Sequence, residues 1–148
     1  MVLSRYRQIV SNLGGITFRD VWWIIQILTM LAAYPLLNRI YTLPRLVRLY
    51  DAAARREGTA SDQKRLITLL QGLLRRTWER DFCLPRSLIM FHFFRKWGVA
   101  ARIHVGLTKI DGEALGHAWV SVGGKPVAER NDPDEIYKTF FVFPQYHN

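Results

Sequence analysis

The first sixty residues alternate apolar and polar positions at helical spacing, and the last fifty alternate them at strand spacing. An uncharged run lies between Asp20 and Arg39, with Asp20 placed to cap a helix and Pro35 placed to interrupt it. A second helix opens at Leu43-Pro44, with Leu43, Leu46, Val47 and Tyr50 on one face. After Gly58-Thr59-Ala60, Ser61 and Asp62 open a third helix, in which Leu66, Leu69, Leu70, Leu73 and Leu74 recur at helical spacing. A fourth helix is predicted over 85–97: Pro85 is tolerated in a first turn, and Gly98 can end the helix in a left-handed conformation. Strands follow over 99–107, 118–122 and 126–129, with turns at Asp111-Gly112 and Gly123-Gly124. From Phe140 onward the tail is aromatic but reads as irregular. Helices followed by an antiparallel sheet predict an α+β fold, organised as a helical N-terminal region over 1–60 and a core over 61–148.

The length of 148 residues suits one compact domain with a helical extension. A formal charge of +9 raises the question of phosphate binding, but the basic residues are dispersed. There is no RNA-binding signature or zinc-finger spacing, so nucleic acid is not an expected partner. The run over 21–37 is borderline for a membrane span, because it carries Gln26, Thr29 and Pro35. A helix packed on the domain or on a partner protein is the better reading. The single cysteine rules out an internal disulfide and any multi-cysteine zinc site, which makes the cytoplasm the expected location. Nothing at metal-ligand spacing appears, and no metal or cofactor is expected.

That cysteine, Cys83, falls at the N-terminal end of the fourth helix, where a helix dipole favours a thiolate. Downstream, Gly116-His117-Ala118-Trp119-Val120 places a histidine on the second strand. A tight turn at Gly123-Gly124 pairs residues roughly equidistant from it, which brings Glu129 toward His117. Nucleophile, base and orienting acid are the parts that thiol-dependent acyl transfer requires. Taken singly, each residue has a plainer role: Cys83 as a small buried hydrophobe, His117 as a satisfied core residue, Glu129 as a solvated strand end, Asp132 as a turn former. His92 lies too far along its helix to reach Cys83, His104 sits within the first strand facing either side, and His147 is in the tail.

Together, Cys83-Leu84-Pro85-Arg86-Ser87-Leu88, Phe94-Arg95-Lys96-Trp97-Gly98-Val99, Val105-Gly106-Leu107, Gly116-His117-Ala118-Trp119-Val120 and Gly124-Lys125-Pro126-Val127 resemble the transglutaminase-like cysteine peptidases of lasso-peptide biosynthesis. The resemblance implies a papain-like core in which a helix carrying the cysteine packs on a small antiparallel sheet carrying the histidine. It makes Cys83 the nucleophile and His117 the base. Family members usually place an aspartate shortly after the glycine turn. Here Glu129 takes the aligned position, with Asp132 as the alternative third member. The Cys83 N–H and Trp78 are candidate oxyanion donors, and Ser121 stands where relatives often carry an acid. The implied function is removal of the leader from a lasso-peptide precursor, beside a separate leader-binding protein and a macrolactam-forming cyclase. An acyltransferase or transglutaminase of the same fold, and a non-catalytic basic adaptor associated with a protein or a membrane, are the other readings.

Overall fold

The computed structural model describes residues 15–54, 58–74 and 82–145. Within them, helix α1 (Phe18–Ile40) is opened by a capping box. Thr17 is the N-cap: its Oγ1 accepts the Asp20 N–H, while the Asp20 carboxylate takes the Thr17 N–H at 2.8 Å. Asp20 therefore sits at the third helical position rather than at the cap itself. Its side chain is buried and paired with Arg65, at 2.7 Å to Nη2 and 3.1 Å to Nε. Pro35 does not interrupt the helix. A proline inside a helix costs one backbone hydrogen bond, but Leu31, Tyr34 and Leu37 pack on the core on both sides of it and carry the helix through to Ile40.

Helix α2 (Leu43–Tyr50) buries Leu46, Val47 and Tyr50. Helix α3 (Ala60–Leu73) repeats the capping device, with Thr59 and Asp62 as the reciprocal pair, so it begins slightly earlier than Ser61. Leu66, Leu69, Leu70 and Leu74 face the core; Leu73, at the last turn, is exposed. Helix α4 (Cys83–Lys96) is apolar nearly all round and accordingly central, with every residue from Pro85 to Phe94 buried except His92. It packs on α1, α2 and α3 and on the sheet. Gly98 closes it at φ 73°.

Strands β1 (Ala101–Ile110) and β2 (Glu113–Val122) form a hairpin in full register from Ala101↔Val122 to Ile110↔Glu113. Both are longer than the apolar alternation indicates. Their outer ends around Lys109, Glu113 and Gly116 are exposed and leave no hydrophobic pattern to read. Asp111 and Gly112 both adopt positive φ, as a two-residue primed turn requires. Strand β3 is only Lys125–Pro126, because Ala128 at φ 58° takes the chain out of extended conformation before Glu129. A short 3-10 turn at Pro133–Glu135 leads into β4 (Lys138–Phe143), which pairs antiparallel with β1 and completes the order β3-β2-β1-β4. The aromatic tail is thus an edge strand as far as Phe143. Its unbroken Phe140-Phe141-Val142-Phe143 run lacks the alternation that would announce one. Among the described residues, four helices against a four-stranded antiparallel sheet make an α+β arrangement.

Candidate active site

Ala118, in the middle of β2, organises the site. Beyond Ser121 and Val122, β3 leaves the outer edge of β2 without a strand partner, and the first turn of α4 takes that place. Ser87 Oγ donates to the Ala118 carbonyl at 2.9 Å, and Arg86 Nη2 approaches the same oxygen at 3.4 Å. The Ala118 N–H donates to the Cys83 sulfur. Cys83, Arg86 and Ser87 stand at helix spacings of three and four, so one face of the helix carries all three contacts. The α4 N-cap, Phe82, provides no side-chain cap. Pro85 has no N–H to offer, which leaves the Cys83 and Leu84 amides as the donors of the first turn beside the sulfur.

The half-buried Cys83 thiol hydrogen-bonds to His117. On the other side of the imidazole, Nε2 meets Glu129 Oε2 at 3.0 Å, so Nδ1 is the nitrogen left for the sulfur. The remaining Glu129 oxygen, Oε1, pairs with the buried guanidinium of Arg86. The Trp119 and Tyr137 rings stack near that of His117, with centroids 5.9 and 5.0 Å away, and restrict how the imidazole can turn. Gly106 permits this packing. A Cβ there would lie 2.9 Å from Tyr137 Cβ and 3.1 Å from the Trp119 ring.

The electrostatics follow from this geometry. Burial pushes the Cys83 thiol up, but the His117 hydrogen bond, the Ala118 N–H and the charges of His117 and Arg86 outweigh it and bring the thiol below its ordinary value. Burial pushes His117 down, yet hydrogen bonds to Cys83 and Glu129, together with their charges, raise it to about 9. Both shifts favour a thiolate beside an imidazolium, the form in which cysteine is a nucleophile near neutral pH. A cavity of about 270 Å³ opens on the His117 and Glu129 side of the site, lined in part by Arg86, Arg130 and Tyr137; Cys83 does not line it.

The structure therefore joins Cys83, His117 and Glu129. Asp132 is elsewhere: its carboxylate accepts the Asp134 N–H at 3.1 Å and caps the 3-10 turn. Glu129 itself lies past the end of the third strand rather than on it. Of the other histidines, His92 is 3.1 Å from the Tyr50 carbonyl, and His104 stacks on Trp119 and meets Ser121 Oγ at 2.7 Å. Ser121 is thereby committed to His104 and buried. His147 and Trp78 lie outside the described residues. Among the described residues, no group of three or more His, Cys, Asp or Glu side chains could hold a metal ion.

Two residues escaped sequence reasoning. Arg86 carried a legible signal, its position one helical turn after Cys83. Tyr34 on α1 carried none. It lies near enough to Cys83 that, besides burial, the thiolate charge raises its phenol above the ordinary range, and it stays protonated.

A helix presenting a cysteine to a histidine on an antiparallel sheet, with a carboxylate behind the histidine, defines a thiol acyl-transfer architecture. The chain belongs to the transglutaminase-like superfamily, whose model matches residues 27–142, a membership compatible with cysteine peptidase or acyltransferase chemistry. Comparison with curated proteins and with solved structures returned no match.

Proposed function

We propose that this chain is a cytoplasmic cysteine peptidase that removes the leader from a lasso-peptide precursor at the leader-core junction. The observation that carries the chemical part is the alignment of three groups: Cys83 at the start of a buried helix, His117 interacting with it, and Glu129 at 3.0 Å from the far side of the imidazole. The substrate rests on the resemblance of the cysteine and histidine motifs to the leader peptidases of that pathway.

In this reading the Cys83 thiolate attacks the last leader carbonyl, and the amides of the first turn of α4 face the developing oxyanion. As the C–N bond breaks, the His117 imidazolium gives its proton to the departing core amine, leaving a leader thioester on Cys83. Neutral His117, oriented by Glu129, then takes a proton from water. The hydroxide attacks the thioester, the leader leaves as a carboxylic acid, and the thiolate is restored. The freed amine is the group a macrolactam-forming cyclase joins to a core side-chain carboxylate.

The chain would work beside a separate leader-binding protein, and α1 is the surface proposed to meet it. Phe18, Trp22, Ile25, Leu28, Leu36 and Ile40 on that helix are exposed. An apolar groove of about 490 Å³ runs between Trp22, Ile25, Met30 and Leu37 on one side and Leu49, Tyr50 and His92 on the other. By length and composition α1 could also cross a membrane. Its seat on Leu46, Leu66 and Phe93 through Trp23 and Ile27, within one core, favours a protein partner over a lipid one.

The deciding experiment incubates a precursor peptide and its leader-binding protein with this chain or its Cys83→Ala variant, and reads the products by mass spectrometry. One cleavage at the leader-core bond, absent with the variant, establishes the peptidase. A covalent adduct with an added amine in place of the free leader acid would make the chain an acyltransferase, and no product with a competent partner would make it an adaptor.

A further inference from the structure

We infer that Arg86 is the positioning residue of this site: its guanidinium, one helical turn beyond Cys83, holds Glu129 by Oε1 so that Oε2 stays on His117 Nε2. The inference rests on the reading of Cys83 and His117 as nucleophile and base.

A cation with 3% of its side chain exposed is costly to bury and is held in place by specific partners. The Glu129 carboxylate and the Ala118 carbonyl are among those partners. The acid would otherwise be loosely placed. Strand β3 ends at Pro126, Ala128 turns the chain out of extended conformation, and Glu129 has no strand pairing of its own. It also has one more methylene than an aspartate, hence one more torsion to fix. By reaching from α4, Arg86 fixes the acid relative to the helix that carries the nucleophile. Both contacts are made by Nη2, and the rigid, always-charged guanidinium fixes where that nitrogen stands, whereas a lysine ammonium on a shorter, more flexible stem holds the acid less closely. Arg86 also contributes positive charge toward the sulfur. The other groups near the pair are Tyr34 from α1, which stays neutral, Arg130 beside Glu129, and Tyr137 stacked on His117.

Because Cys83 is the only cysteine, alkylation of the full chain reads this one sulfur and needs no substrate. Iodoacetamide rates are measured from about pH 5 to about pH 10 for the parent, Arg86→Lys, Arg86→Gln, Glu129→Gln and His117→Ala, spanning the ordinary histidine and thiol ranges. Thermal melts of each variant run alongside. The inference expects Arg86→Gln to slow alkylation near neutral pH by about tenfold and to move the titration upward, with Arg86→Lys intermediate. Adding Glu129→Gln to Arg86→Gln should change little further, since the two act as one unit. A folded Arg86→Lys with the parent's pH profile overturns the inference, whether or not Arg86→Gln folds, as does a lowered melting temperature with unchanged alkylation. If His117→Ala also alkylates like the parent, the reading of the site itself fails; if only the Arg86 variants do, this inference fails alone.

Discussion

Glu129 reaches His117 at 3.0 Å although the hairpin that joins them would hold them on opposite faces. The register Val122↔Lys125 and Ser121↔Pro126, continued, sets Val127 against Val120 and Glu129 against Ala118, whose side chain points away from that of His117. The left-handed Ala128 breaks the alternation and re-aims Glu129 toward the imidazole. This separates the two carboxylates offered by the sequence. Glu129→Gln should lower kcat/KM for precursor cleavage by at least roughly 10²-fold, with the loss of about 10⁴ in a serine triad whose carboxylate is neutralised as the upper end. Asp132→Asn should stay within about twofold, because an asparagine still caps the turn. Steady-state cleavage assays with the leader-binding protein present would show it, and equal losses in the two variants would sink the assignment.

The thiolate-imidazolium pair sets the pH window. The rate needs Cys83 deprotonated and His117 protonated, so it rises as pH climbs through the lowered Cys83 value and falls as pH passes through about 9, where His117 loses its proton. A bell-shaped profile with its alkaline limb near pH 9 is expected from kcat/KM. Cys83→Ala removes the hydrogen bond and the negative charge that help raise His117, so its imidazole should titrate lower than in the parent. Histidine-detected NMR titration of both proteins measures this, and an unmoved His117 would mean the thiol is not its partner.

Much of the fold was open to inspection in the sequence, and the failures share physical causes. The four helices follow from the apolar spacing around Trp23, Leu46, Leu66 and Phe91, and Gly98 marks the end of α4. Their starts were misplaced because Thr17 and Thr59 cap through an aspartate three residues on, a reciprocal pair easily read as a cap at the acid or at the neighbouring serine. β4 was missed because an edge strand with apolar residues in succession has no period to detect. In the site, Cys83 and His117 were legible from type and spacing. Glu129 was favoured by a register argument that gives the right neighbourhood and the wrong face, and only the conformation of Ala128 reconciles the two. Arg86 went unassigned although its place one helical turn after Cys83 was legible, because an arginine is far more often solvated than buried and spacing alone does not tell the two apart.

Gly106 offers a test of how far His117 depends on its aromatic surroundings. An added Cβ would also lie 3.2 Å from the Lys138 carbonyl, so Gly106→Ala must displace Tyr137, Trp119 or β4. Overpacking of this kind costs about 1–3 kcal/mol. The rings that move are those stacked against His117, so kcat should fall more than the stability change alone accounts for. Urea unfolding and cleavage kinetics on the same variant separate the effects, and full activity in a destabilised Gly106→Ala would show that the stack serves packing only.

The Asp20–Arg65 pair ties α1 to α3 far from the chemistry. Asp20 is 1% exposed, and its hydrogen bonds to Arg65 hold its carboxyl well below the usual range against the cost of burial. A depressed folded value means the pair's stability is present above the unfolded value near pH 3.9 and is lost as pH falls below it. Asp20→Asn leaves the partly exposed Arg65 guanidinium without this carboxylate and loses charge-assisted hydrogen bonds, which should cost about 2 kcal/mol. Chemical denaturation at neutral pH reads that loss. The parent and variant curves should converge as the pH is lowered; a gap that persists in acid would mean that the carboxylate charge is not what stabilises this junction.

The exposed side of α1 separates folding from partner binding. Phe18 and Trp22 are 89% and 56% exposed, whereas Trp23, next in sequence, is buried against Phe93 and Trp97. Replacing Phe18 and Trp22 together with serine removes apolar surface only from the outer face, so the melting temperature and Cys83 alkylation should match the parent. If this face receives the leader-binding protein, the same double variant should lose association measured by calorimetry, and its cleavage of precursor should fall in proportion while its intrinsic thiol reactivity does not. Parent-like association would place the docking surface elsewhere. Parent-like association together with loss of binding to anionic vesicles would instead give the exposed stripe of α1 to a lipid surface.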